Sequence, residues 1–416
     1  MKLKYGDSFV HFVAPEAIEW HVVQKNVPFS FAPQAENIQG GINKLATQLT
    51  DRINKRAHIL FIVPDHTRKC NLSSILPPLI EHLENKFLAD IKILVANGSH
   101  AQQSEATVRE IISPDIYDQI PTIQHDALAN DRLTFLGKTS YGTLVVLNKM
   151  VKEADFIITI NAIMYHYFAG FGGGAKMLLP GVAAYETIRQ NHSLTITKDG
   201  RFHPHAQNGN METNPVYLDV SQVVDFVPNA LSLQVVLSKD GEIVGCKAGP
   251  ILETQKKLVP LVEKLYTCTL PERADIVIAS AGGCPSDINL IQAHKSIHHA
   301  YQAVQKNGTL VVLAECREGV GSKTFLPYFE YGTTREIGQA LLNDYRINGQ
   351  TALALKEKTE KTKIYFISSL ASDIVKKIGM IPCKTIEDAF SRIEIGQHAK
   401  GLIVPEAQIT LPVITN

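Results

Sequence analysis

Between His166 and His192 the chain reads HYFAGFGGGAKMLLPGVAAYETIRQNH, which gathers two histidines, Lys176 and the glycines Gly170, Gly172, Gly173, Gly174 and Gly181. Glycine has no Cβ, so backbone in such a stretch can approach a ligand closely. A lysine just after the glycines can meet a phosphate as a point charge or attack as an amine. The histidines offer proton transfer or metal ligation near neutral pH. The combination points to a site for a phosphorylated cofactor. A nucleoside-triphosphate P-loop requires G-x-x-x-x-G-K-[ST]. Counting from Gly170, Lys176 falls at the right distance, but Ala175 stands where the second glycine belongs and Met177 where the magnesium-binding hydroxyl belongs. Tyr165, His166 and Tyr167 also interrupt the apolar strand that should lead in, so the P-loop reading is set aside. A purely structural glycine loop is the alternative.

Two further clusters carry chemistry, Pro64-Asp65-His66-Thr67-Arg68 and Asn97-Gly98-Ser99-His100. Each follows an apolar, β-branched run that reads as a buried strand, 58–63 before the first and 91–96 before the second. A third such run, 155–160, leads through Asn161 into the glycine segment. Leu76, Leu79, Ile80 and Leu83 have helical spacing, with Pro77 and Pro78 tolerable only in a first turn. Ser104, Thr107, Ile111 and Ile112 mark another helix. In open α/β sheets ligands bind beyond the carboxyl ends of the strands, so three motifs at three strand ends converge on one edge.

The second half repeats the alternation. A polar stretch over 261–273 reads as a linker. It is followed by a strand at 274–279, a helix at 287–305, a strand at 309–313, a helix at 334–342 and strands at 363–367 and 401–404. The expected fold class is α/β, with two α/β domains of largely parallel sheets and an active-site cleft between them. The expected boundaries are 1–264 for a cofactor-binding and catalytic domain and 272–395 for a C-terminal α/β domain, with a strand and tail at 396–416 returning to the N-terminal domain. A chain of 416 residues, 45% apolar and 20% charged, can bury such cores. Lys plus Arg and Asp plus Glu balance at 41 each, so no global field draws nucleic acid or an anionic membrane. No apolar run reaches membrane-spanning length and no signal-peptide core opens the chain. Six scattered cysteines without a C-x-x-C pair suit free thiols in a reducing cytoplasm.

The order H-x-F-A-G-F-x-G-G-x-K, L-P-G, N-H resembles the signature of the nickel-dependent lactate racemase family. Asp65-His66-Thr67-Arg68 resembles its D-H-T-R motif, and Gly98-Ser99-His100 its G-x-H motif. Gly282-Gly283-Cys284-Pro285, leading through Asp287 and Asn289 to Gln292 and Lys295, is similar to its downstream motif. The resemblance spans most of the chain and keeps motif order. It implies a nickel-pincer nucleotide cofactor, a small-molecule 2-hydroxy acid as substrate, and cofactor-synthesis enzymes as loading partners. The implied chemistry is racemisation or epimerisation by reversible hydride transfer from C2, with a base on each face for the hydroxyl proton. By the same resemblance His100 and His166 are that pair, Lys176 tethers the cofactor through a thioamide, and His192 is the protein ligand of nickel. Thr67, Gly172, Gly173, Gly174 and Asp65 line the cofactor, Arg68 grips the substrate carboxylate, and Asp65 orients a neighbouring group. Gln292 and Lys295, three apart on one helix face, add further substrate or cofactor contacts.

The sequence departs from the lactate enzyme at two places. Ile291 replaces a tyrosine, and an aromatic lining that pocket is replaced near Gln350. A hydroxy acid with a polar tail, such as malate or a sugar acid, is therefore expected in preference to lactate. Two other readings stand beside this one. His100, His166 and His192 could form a three-histidine zinc site of a hydrolase, or the chain could bind a nucleotide or hydroxy acid without catalysis. His203, His205, His294, His298 and His299 show no complete ligand set and are read as structural or surface residues.

Overall fold

The computed structural model describes residues 1–23, 32–50, 52–53 and 56–415. They divide into two compact units. One comprises the described residues of Pro28–Leu194 and His205–Leu265, the other those of Met1–Val27, Thr195–Pro204 and Tyr266–Asn416.

The first unit is built on a six-stranded sheet. Its order is Ile243–Gly249, Ala230–Leu237, Phe156–Ala162, Ala57–Pro64, Ala89–Ala96 and Thr122–Gln124. Every neighbouring pair is parallel except the first, which is a hairpin. The 57–64 strand is buried along almost its whole length, as expected of a parallel strand covered on both faces. Ile59, Phe61 and Val63 point to one face, where they join Ile42, Leu45 and Leu49 of the Gln34–Thr50 helix and Leu76, Leu79 and Leu83 of the Leu72–Lys86 helix. Each such side chain contributes about 1.5–3 kcal/mol on burial.

The chain leaves the 57–64 strand outward through 89–96 and 122–124, then returns to its other side at 156–162. The order therefore reverses between the 57–64 and 156–162 strands, and such a switch point opens a crevice at the carboxyl ends. Asp65 follows one of these two strands and the glycine segment follows the other.

The second unit has its own parallel sheet, ordered Ile381–Cys383, Lys363–Ile367, Val304–Leu313, Ala274–Ser280, Lys400–Val404 and Glu19–Val22. The α/β class with largely parallel sheets stands. Several boundaries differ from those read in the sequence. The Lys400–Val404 strand pairs with Ala274–Ser280, and Leu411–Ile414 pairs with Thr267–Leu270, so the 396–416 segment adds to the C-terminal unit rather than returning to the N-terminal one. The chain start joins the same unit, because Glu19–Val22 finds an open ladder beside 400–404. The presumed linker is the end of the Ile251–Tyr266 helix followed by the Thr267–Leu270 strand. Pro77 and Pro78 lie inside the Leu72–Lys86 helix rather than in its first turn; apolar packing of Leu76 and Leu79 outweighs the ladder bonds those prolines cannot donate. The helix carrying Gln292 and Lys295 is shorter than expected, Leu290–Tyr301, since Asn289 caps it by accepting from the Gln292 N–H.

Candidate active site

Just past the 57–64 strand Asp65 is almost fully buried. Its Oδ2 lies 2.6 Å from His100 Nδ1, and its Oδ1 accepts from the Thr67 hydroxyl at 2.6 Å and the Thr67 N–H at 3.1 Å. Burial works to raise the Asp65 pKa, but the hydrogen bond and charge of His100, with Arg68 and Thr67, hold it at about 2. A carboxylate only accepts, so a neutral His100 keeps its proton on Nδ1 and presents Nε2 as a base. The turn bearing His100 is tied to the glycine segment where the Gly98 N–H donates to the Gly181 carbonyl at 2.9 Å. Gly98 holds φ +56, a conformation that favours glycine.

Beyond the 156–162 strand the backbone folds over Asn161. The Asn161 Oδ1 accepts from the Gly174 N–H at 2.8 Å. A Cβ on Gly173, whose φ is +72, would stand 2.5 Å from both Asn161 Oδ1 and the Ala162 carbonyl. Only glycine fits there. The short 3-10 turn Gly174–Met177 then presents Lys176, whose Nζ lies 3.5 Å from His166 Nε2. The Ala169 N–H donates to His166 Nδ1 at 3.3 Å, so a neutral His166 carries its proton on Nε2. His100 and His166 are thus set in opposite tautomers. Burial, then the charge of Arg68, bring the Lys176 pKa down to about 7. A lysine that merely paired with phosphate would need no such depression; a nucleophilic amine does.

His192 sits in the last turn of the Tyr185–Ser193 helix and is 8% exposed. Burial, then the Lys176 charge, lower its pKa to about 3, only partly offset by the Ile188 carbonyl. It is therefore a neutral imidazole, unsuited to complement a helix dipole as a cation and suited to ligate a metal. Phe168 connects the set. Its ring meets His166 edge-on at 4.5 Å and His192 edge-on at 5.0 Å, and Lys176 Nζ lies 5.2 Å from its centre. Asp65, Thr67, Arg68, His100, His166, Gly172, Gly173, Gly174, Lys176 and His192 all belong to one unit. Arg68 acts electrostatically on both Asp65 and Lys176.

Family models place residues 5–203 in the lactate racemase N-terminal domain and residues 270–411 in the lactate racemase C-terminal domain. The chain belongs to the lactate racemase family. Its activity class is accordingly that of an isomerase, a racemase. It is 29% identical over 419 residues to a lactate racemase of Thermoanaerobacterium thermosaccharolyticum, covering 98% of this chain and 97% of that one. With a lactate racemase of Lactiplantibacillus plantarum the figures are 28% over 374 residues, covering 88% and 87%. The fold matches the lactate racemase apoprotein from T. thermosaccharolyticum with a TM-score of 0.89 at 24% identity, covering 100% and 99% of the chains. A protein from Thermotoga maritima shares it with a TM-score of 0.70 at 16% identity, covering 93% and 100%.

In this racemase-family chain Gln292 and Lys295 belong to the C-terminal unit, where Lys295 Nζ donates to Gln292 Oε1 at 2.5 Å. Ile291 beside them is half-buried. Gln350, expected to offer its amide to a substrate tail, is 2% exposed, and its oxygen accepts from Tyr345 Oη at 2.7 Å. Its polarity is engaged within the fold. The three-histidine zinc set is not borne out, because no group of three or more His, Cys, Asp or Glu among the described residues is arranged to hold a metal ion. His100 is turned to Asp65 and His166 to Lys176 instead. No described helix is long and apolar enough to cross a membrane. Sequence reasoning missed Phe168 and Asn161. Phe168 was visible only as one more aromatic in the motif, and Asn161 only as the residue ending a strand.

Proposed function

We propose that the protein racemises or epimerises a 2-hydroxy acid by reversible hydride removal from C2, with a nickel-pincer nucleotide held through Lys176 and His192. The observation that carries this reading is the convergence of His166, Lys176 and His192 on Phe168. The residues fit the group in three respects. The Lys176 amine is brought down to about 7, so a large fraction is neutral at physiological pH. His192 is a buried neutral imidazole that would supply one nitrogen donor to nickel. Gly173 and Gly174 let the backbone pack directly against Asn161, Ala162 and Gln255, which fixes the turn that presents Lys176. Once bound, the nucleotide would supply a reversible hydride acceptor.

The remaining chemistry falls to this chain. His100 Nε2 takes the hydroxyl proton on one face and returns it as the imidazolium, while His166 serves the other face, giving a proton only from its doubly protonated form. Asp65 holds the His100 ring by Nδ1 and stabilises it when protonated. The planar fork of Arg68 suits the substrate carboxylate. Lys295 and Gln292 are assigned a share of that task on the resemblance alone. With Ile291 in place of an aromatic, the substrate is a 2-hydroxy acid other than lactate.

Cofactor-loaded protein incubated with single-enantiomer 2-hydroxy acids tests the reading through loss of optical purity. His100→Asn and His166→Asn are each expected to slow that loss by roughly 10²–10⁴-fold. Full activity in either variant would contradict the two-base assignment.

A further inference from the structure

Asp219, on the Pro215–Val223 helix, is a fully buried carboxylate that the proposed reaction does not use. Burying such a group is costly unless it is well paired. Its Oδ1 accepts from the Thr139 hydroxyl at 2.5 Å, and its Oδ2 accepts from the Thr143 hydroxyl at 2.8 Å and from Asn191 Nδ2 at 2.8 Å. The same Asn191 Nδ2 donates to the Val216 carbonyl at 3.2 Å. Both neighbours of that nitrogen are acceptors, so the Asn191 amide can be placed only one way, with Oδ1 on the opposite side. There Oδ1 lies 3.2 Å from His192 Nδ1. An amide oxygen only accepts, so His192 must donate from Nδ1 and keep its lone pair on Nε2.

We propose that Asp219 and Asn191 are positioning residues that set the tautomer and ring orientation of His192, so that Nε2 is the atom offered to the metal. Metal-ligating histidines are commonly held this way through their other nitrogen, and losing such a partner typically costs about 10–100-fold in metal affinity or activity. The proposal rests on the reading of His192 as nickel ligand.

The test is the ¹⁵N spectrum of the His192 ring in the apoprotein, with the backbone amide spectrum confirming the fold. The wild-type ring should be protonated at Nδ1 alone. Asn191→Leu should shift it toward the Nε2–H form. Asp219→Asn leaves an amide that can face Asn191 with either end, so both tautomers should be populated; this variant decides the matter if Asn191→Leu does not fold. In nickel-loaded protein both variants should release nickel to a chelator about 10–100-fold faster. A wild-type ring pattern in every folded variant overturns the relay. His192→Ala separates the two claims. If that variant keeps its nickel, the ligand reading fails while the ring spectrum still judges the relay.

Discussion

Replacing Lys176 by methionine is expected to stabilise the apoprotein, and to do so most at neutral and lower pH. The folded Lys176 titrates at about 7 because burial and Arg68 disfavour its charge, whereas an unfolded lysine titrates near 10.5. Between those values the unfolded chain binds more protons than the folded one. Stability therefore rises with pH across that window, and the lysine's unfavourable contribution is fully present below pH 7. At pH 7.5 the three-unit gap from 10.5 corresponds to about 4 kcal/mol, reduced to roughly 2–4 because the side chain is only half-buried. At pH 9.5 about 1 kcal/mol remains. Methionine has similar length, no charge and an adaptable shape, so it removes the penalty without opening a cavity. Thermal unfolding of wild type and Lys176→Met at pH 6.5, 7.5 and 9.5 measures this. A unit of this size should gain roughly 5–10 °C in Tm at the two lower values and little at the highest. A loss of stability at pH 6.5, or a gain independent of pH, would refute the claim that the fold holds this amine in its neutral form.

Asp65→Asn should keep the fold at pH 7 but slow racemisation by up to roughly 10⁴-fold, because an amide cannot enforce the His100 tautomer or stabilise the protonated ring. With its pKa lowered to about 2 by His100, Asp65 contributes about 2 kcal/mol of stability above pH 4, lost as pH falls from 4 towards 2. Denaturation curves of the pair should converge across that range, and a constant gap would contradict the assignment. Leu76→Ala in the core beneath the 57–64 strand should cost about 2–5 kcal/mol by chemical denaturation and leave the tautomers of His100 and His166 unchanged in ring ¹⁵N spectra. In a panel of single-enantiomer acids, an acid other than lactate should lose optical purity fastest; lactate leading the panel would show that Ile291 does not set selectivity.

The strands and the edge they serve were legible because buried parallel strands leave dense β-branched runs, and each run here ends at a polar motif. The 57–64, 89–96 and 156–162 strands put Asp65, His100 and the glycine segment at one end of a sheet, as their patterns required. The partners of the short and marginal strands were not legible. Glu19–Val22 and Leu411–Ile414 carry no strong pattern, and which open ladder they join depends on long-range geometry. The same holds within the site. His100, His166, Lys176 and His192 announced themselves by type, but the Asp65–His100 bond, the Phe168 contacts and the Asn191 amide orientation link residues whose alignment depends on side-chain direction. Gln350 illustrates the converse, since a polar residue at a pocket-like position in sequence proved to be bonded to Tyr345 inside the fold.

Whether Lys176 and His192 hold a nickel-pincer nucleotide is decided by mass and metal content measured together. Protein produced alongside the cofactor-synthesis enzymes should carry one nickel per chain and a nucleotide-sized mass increment on the peptide containing Lys176. Lys176→Ala should lose the covalent increment and His192→Ala the nickel. An unmodified mass with stoichiometric zinc, or a nickel content indifferent to His192→Ala, would show that these two residues do not hold the cofactor.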